Sequence, residues 1–290
     1  MFPFHKILFP TDFSCRCIEG IPYLAHLARQ FGSEVTLLHV LDASDPFGYG
    51  AASSTIVYGV DAGTLRKQRE TELAHFGKIA LEGIEVKRVL EMGEPAECIT
   101  GYAEEHGINL IFMPTHGHGK FRQLLLGSVT SKVLHDSALP VWTTAHSKTL
   151  ASDSFGEIRT VLCAISFLPD AVRVIHAACE AAEQYAAQVR LVHAIAGPDF
   201  GMGIEATAPF QRFLFNAACE QATALQREAE TQLPIDIQYG GVGPVVRETA
   251  LACRAQLVVI GRGHARGLLG RLRTNVSNIV RESPCPVLSV

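Results

Sequence analysis

The chain has no long apolar span, and its opening, MFPFHKILFPTDFS, reads as a short strand pattern without the apolar stretch of a secretory signal. A cytoplasmic protein that neither crosses nor leaves a membrane is the expectation. It also lacks an excess of either charge. Lys and Arg total 25 against 29 Asp and Glu, a formal net charge of -4, which argues against bulk binding to nucleic acid or a membrane surface. Its eight cysteines are scattered among apolar neighbours, and no CxxC faces a second such pair. Neither a zinc site nor a disulfide framework is implied. The close pair Cys15-Arg16-Cys17 reads as two small helix residues, with a redox role as the alternative. No GxxxxGK[ST] phosphate loop occurs.

What the chain does have is material for real cores. Hydrophobic residues make up 48% of its 290 positions, and that length suggests two domains. The sequence repeats itself in order. HKILFPTDFS (5–14) matches RTVLCAISFL (159–168), and VTLLHVLD (35–42) matches VRLVHAIA (189–196). NLIFMPTHGHG (109–119) matches QLVVIGRGHARG (256–267), and SALPVWTT (137–144) matches SPCPVLSV (283–290). The polar stretch HSKTLASDSFGE (146–157) suits an exposed linker, so domains over residues 1–147 and 148–290 are expected.

In the first copy, Lys6–Phe9, Val35–Val40, Ile84–Leu90, Leu110–Met113 and Val141–Thr144 read as strands. Ser14–Phe31 (with Ile18, Tyr23 and Leu27 among its apolar positions and Gly32 as its stop), Asp61–Leu81, Glu94–His106 and Ser128–His135 read as helices. Residues 43–60 form a loop rich in Gly, Ala and Ser. Strands alternating with helices predict an α/β fold of two repeated, doubly wound parallel-sheet domains. In such a sheet a ligand binds beyond the carboxyl ends of the strands, where the winding reverses. Pro10-Thr11-Asp12, Val40 and Met113-Pro114-Thr115 stand at three such ends.

Residues 109–133 carry the chemistry. The apolar strand Leu110–Met113 opens into a Gly- and His-rich loop that closes on Gly127-Ser128 at the start of a helix. Glycines let backbone N–H groups approach an anion, and the unpaired amides of a helix start point at it. Gly117, Gly119, Gly127 and Ser128 are the phosphate candidates, with Ser128 expected as the helix N-cap, and Lys120 and Arg122 add charge or are simply solvated. Asp12 can accept from ribose hydroxyls or an adenine amino group, or it can cap the helix that follows. The backbone of Val40 can read an adenine edge, or the residue only packs. His116 and His118 can touch phosphate or a metal, a weak pairing, and any divalent ion is expected with the phosphates, as magnesium is. His39 and His193 hold equivalent strand positions, each expected to be satisfied by a hydrogen bond.

Over nearly its whole length the chain resembles the universal stress protein family in its tandem form, with an adenine nucleotide alpha hydrolase-like, Rossmann-like fold. The family's ATP-binding branch carries the loop G-x2-G-x9-G-[ST]. Here that frame falls on Pro114-Thr-His-Gly117-HGKFRQLLL-Gly127-Ser128, with proline in the first glycine position. The resemblance implies ATP or a related adenine nucleotide, with or without Mg2+, held by Pro10, Thr11, Asp12, Val40, Met113, Pro114, Gly117, His118, Gly127, Ser128 and Val129. Proline there removes one N–H, which bears on affinity.

The second frame reads Gly261-Arg-Gly-His264-ARGLLGRLR-Thr274-Asn275, and Ser166 stands where Asp12 does. No ATP site of the family's type is expected in this half. Its loop carries Arg262, Arg266, Arg271 and Arg273, which can hold another anion, cover the first domain or form a solvated basic face. The resemblance also implies pairing through the last strands, Pro140–Thr144 and Pro286–Val290, as an internal pseudo-dimer, with a homodimer of chains as a further expectation. A regulatory or sensor role is expected, with a slow ATP hydrolase or a scaffold with vestigial sites as the alternatives. A serine-glycine-rich loop after the first strand, as in related adenylating enzymes, is replaced by PTDFS.

Overall fold

The computed structural model describes residues 1–42, 62–114, 126–144, 157–195, 208–262 and 271–290. The chain divides into two compact units, one over Pro3–Thr144 and the other over Met1–Phe2 and Ala145–Val290. The first unit runs β1 (Lys6–Pro10), α1 (Cys15–Phe31), β2 (Glu34–Leu41), α2 (Ala62–His75), β3 (Val86–Met92), α3 (Pro95–Glu105), β4 (Leu110–Met113), α4 (Ser128–Asp136) and β5 (Val141–Thr143). Its strands lie in the order β3-β2-β1-β4-β5, all parallel. The second unit follows the same plan through β6 (Thr160–Ala164), α5 (Ala171–Tyr185), β7 (Gln188–Ile195), α6 (Ala208–Glu228), β8 (Ile235–Tyr239), α7 (Val242–Ala252), β9 (Leu257–Ile260), α8 (Arg271–Glu282) and β10 (Val287–Ser289). Its order is β8-β7-β6-β9-β10, again parallel. Each unit is therefore a doubly wound α/β domain whose winding reverses between its first and fourth strands.

The near-continuous apolar runs of β1 and β4 follow from burial on both faces of the sheet. Ile7, Leu8, Phe9, Leu110 and Ile111 are all fully enclosed, as are Leu162, Leu257 and Val258 in the second unit. The repeat extends to single hydrogen bonds. Lys6 N–H donates to the Asn109 side chain, and Thr160 N–H to the Gln256 side chain. Thr11 N–H donates to Leu38 O at 2.8 Å, and Ile165 N–H to Val192 O at 2.9 Å.

Expected boundaries move at the start of α1 and the end of α2. Ser14 is the N-cap of α1 rather than its first residue, and its hydroxyl accepts from Cys17 N–H at 3.3 Å. The buried stripe of α1 is Cys17, Gly20, Ile21, Leu24, Ala25, Leu27 and Ala28, so Ile18 points outward and is 57% exposed. The second helix ends at His75, not Leu81, and the chain continues in turns to Gly83. Gly77 there has φ 67°, and a Cβ on it would press on Ile21 and Leu81. Only glycine adopts that backbone without strain, so the apolar pattern outlasts the helix. Gly32 closes α1 in the left-handed conformation, φ 61°, as its position suggests. Residues 43–61 fall outside the described residues.

Candidate functional site

In the first unit, a cavity of about 370 Å³ opens beyond the carboxyl ends of β1, β2 and β4, where the winding reverses. That size lies in the usual range of small-molecule sites, roughly 300–1,000 Å³. Pro10, Thr11, Asp12, Val40, Met113, Pro114, Gly127, Ser128 and Val129, all expected at a site, line it. Gly117 and His118, also expected, lie outside the described residues, as do His116, Gly119, Lys120 and Arg122.

Each wall has a local cause. The ladder between β1 and β2 ends at the Pro10 and Leu38 pair, followed by the Thr11 N–H bond to Leu38 O. Backbone groups of alternate strand residues face opposite edges. Leu38 faces β1, and Leu41 faces β3, where its carbonyl accepts from Gly93 N–H at 3.0 Å. Val40 therefore turns its N–H and C=O to the edge that β1 has already left, beside the cavity. A donor and an acceptor side by side at a strand end match the edge of a planar heterocycle.

Asp12 sits in the turn from β1 to α1. Its Oδ1 accepts from Ser14 N–H at 2.9 Å and from the Cys17 thiol at 3.1 Å. The capping alternative is thus settled in favour of Ser14, while Asp12 braces the turn one step earlier. Burial first, then the Asp12 charge, pushes the Cys17 thiol up to about 12, so it stays protonated at neutral pH.

On the opposite wall, α4 begins at Ser128 with Gly127 as N-cap, which corrects the expectation that Ser128 is the cap. Gly127 has no side chain, so the cap residue itself makes no side-chain hydrogen bond to the helix start. The first amides of such a helix have no acceptor of their own within it, and its positive end favours an anion. Thr130, buried beneath, donates its hydroxyl to Pro114 O at 3.2 Å and ties the helix start to the end of β4. The proline at the first glycine position therefore still serves, through its carbonyl.

Sequence reading missed Cys17, Leu38, Pro95, Ile99 and Thr130 as lining residues. For Pro95 a signal existed. Glu94-Pro95 is an N-cap followed by a first-turn proline, and Glu94 accepts from Glu97 N–H at 2.9 Å, so α3 starts at the same end of the sheet. Cys17 and Ile99 gave none, because their side chains reach the cavity from helix faces that read as core. His39 also lines it. Its Nδ1–H donates to Thr11 O at 2.7 Å and its ring packs on Phe13 at 4.5 Å. His193 repeats the pattern on Ile165 O at 3.0 Å and on Phe167 at 4.1 Å, so both histidines are satisfied as expected. Burial lowers the pKa of each below the ordinary value.

The second unit differs where the frame departs. Thr274 and Asn275, the counterparts of Gly127 and Ser128, lie inside α8, which begins at Arg271. By helix geometry the Asn275 amide is directed to the Arg271 carbonyl instead of outward. Arg271 and Arg273 thus belong to a helix, not to a loop, and Arg266 lies outside the described residues. Arg262 is not part of a solvated face. Burial first, then the neighbouring Arg173 charge, lowers its pKa to about 10.

The comparisons with known proteins concern the family and the fold. The profile of the Universal stress protein family matches residues 3–144 and again 157–290. Universal stress protein MJ0577 of Methanocaldococcus jannaschii is 31% identical over 150 residues, covering 48% of this chain and 93% of its own. Universal stress protein MJ0531 of the same organism is 30% identical over 139 residues, covering 48% of this chain and 80% of its own. A crystal structure of a universal stress protein from Archaeoglobus fulgidus superposes with a TM-score of 0.66 at 22% identity, covering 98% of this chain and 95% of that one, which speaks to the fold. Matched twice along its length and built of two doubly wound units, the chain belongs to the universal stress protein family, in its tandem form.

Proposed function

We propose that the chain is a cytoplasmic regulatory protein that binds ATP, or a related adenine nucleotide, in its first domain, residues 1–147. The observation that carries this reading is the juxtaposition across one cavity of the glycine-capped start of α4, the outward backbone of Val40 and the braced carboxylate of Asp12. The α4 amides suit phosphate, Val40 the adenine edge and Asp12 the ribose hydroxyls. Magnesium would enter with the phosphates, since it keeps much of its own water. Among the described residues no group of three His, Cys, Asp or Glu could hold a metal by itself. All eight cysteines are free thiols, in keeping with a reducing compartment.

The second domain, residues 148–290, has Ser166 in place of Asp12 and a helix where the anion cradle would be, so it does not take nucleotide in this way. Nucleotide in the first domain acts as a signal to the extent that it favours one conformation over another, and no further. Calorimetric titration of ATP into the whole chain tests the reading. Binding in the wild type that is lost in Gly127→Val, with the fold kept, is the expected result. Gly127 has φ -58°, open to any residue, so valine is tolerated by the backbone and obstructs only the approach to the amides. Equal binding by both proteins would remove the site from α4.

A further inference from the structure

The start of α1 places a thiol against the carboxylate at the cavity. Cys17 is 4% exposed, lines the cavity and lies 3.1 Å through Sγ from Asp12 Oδ1. The same Oδ1 accepts from Ser14 N–H, and the Ser14 hydroxyl accepts from Cys17 N–H. Asp12, Ser14 and Cys17 thus close a small ring of hydrogen bonds around one carboxylate oxygen. A carboxylate can rotate about its last bond. Two donors on one oxygen oppose that rotation.

We infer that Cys17 is a positioning residue that turns Asp12 towards the hydroxyls of a bound sugar and so sets the preference for a ribonucleotide. The inference rests on the nucleotide reading above. A thiol is a donor only while protonated, and the enclosure of Cys17 keeps it so at neutral pH. The second unit supplies an internal contrast. Phe13 and His39 correspond to Phe167 and His193, and in that register Asp12 corresponds to Ser166 and Cys17 to Ala171. The acceptor and its donor are present together in one copy and absent together in the other. Ala171 is 1% exposed in α5, so the fold accepts alanine at this position, and plain packing does not require sulfur.

The test uses the full chain as wild type, Cys17→Ala and Cys17→Ser, each titrated with ATP and with 2′,3′-dideoxy-ATP. Cys17→Ala should lose about tenfold in affinity for ATP, the scale of one hydrogen bond to a charged group, and much less for the dideoxy analogue. Cys17→Ser, which keeps a donor, should bind ATP within about threefold of wild type. The infrared S–H stretch of Cys17, assigned by its loss in Cys17→Ser, should shift in ligand-free Asp12→Ala. Wild-type affinity and selectivity in Cys17→Ala, or equal weakness of the serine and alanine variants, would overturn the positioning role. An unmoved S–H band would overturn the pairing. If the wild type binds no ATP, the nucleotide reading itself fails and the positioning role falls with it, while the band still reports the pair.

Discussion

At the level of single residues, the duplicated plan lets one copy serve as a reference for the other. Gly32 and Ala186 both close the first helix of their unit in the left-handed conformation, at φ 61° and 51°. Alanine there carries steric strain that glycine does not. Ala186→Gly should stabilise the protein by about 0.5–1 kcal/mol, the relief being partly offset by greater freedom in the unfolded chain. Denaturant unfolding measures it, and destabilisation would show that the Ala186 methyl packs to more effect than its strain costs. The histidines set a pH dependence. His39 and His193 have folded pKa values below the ordinary 6.5 because they are buried. The unfolded chain therefore takes up more protons as pH falls through 6.5 towards the folded values, and stability drops in that window. Above it the contribution is complete. His39→Asn, which keeps a donor for Thr11 O, should flatten the fall in melting temperature as pH drops below about 6.5. An unchanged slope would place the proton uptake elsewhere.

At the level of elements, the alternation of strands and helices in the sequence announced parallel, doubly wound sheets, while the strand order that fixes the switch point is read from the pairing of the strands. The strand ends that line the cavity were legible for the same reason, since β1, β2 and β4 each end on a recognisable signal. Less legible was the start of α4. A serine after a glycine reads as a cap, yet the glycine holds the cap position, because only the backbone angles distinguish them. The end of α2 was hidden too, as Leu81 is buried and sustains the apolar pattern through turns. Cys17 reads in the sequence as a small helix residue, with a redox role as the alternative, because its partner depends on how α1 is wound. Thr130 joins α4 to β4 from a buried position, through its bond to Pro114 O. Thr130→Val, which leaves that carbonyl without this donor, should cost about 1–3 kcal/mol and also weaken ATP binding by shifting the helix start. Loss of stability with unchanged ATP affinity would separate this strut from the site.

At the level of the whole molecule, two copies of one architecture have diverged at the place where a ligand would bind. In the first, a helix start capped by glycine faces a cavity. In the second, the helix begins earlier and takes the corresponding residues into its body. Among the described residues no helix is long and apolar enough to cross a membrane. The central claim is that one half binds nucleotide and the other does not. Equilibrium dialysis of radiolabelled ATP against the full chain measures this most directly. The account predicts one nucleotide per chain at saturation, abolished by Gly127→Val and unaffected by Asn275→Ala. Two nucleotides per chain, or one that persists in Gly127→Val and disappears in Asn275→Ala, would contradict it.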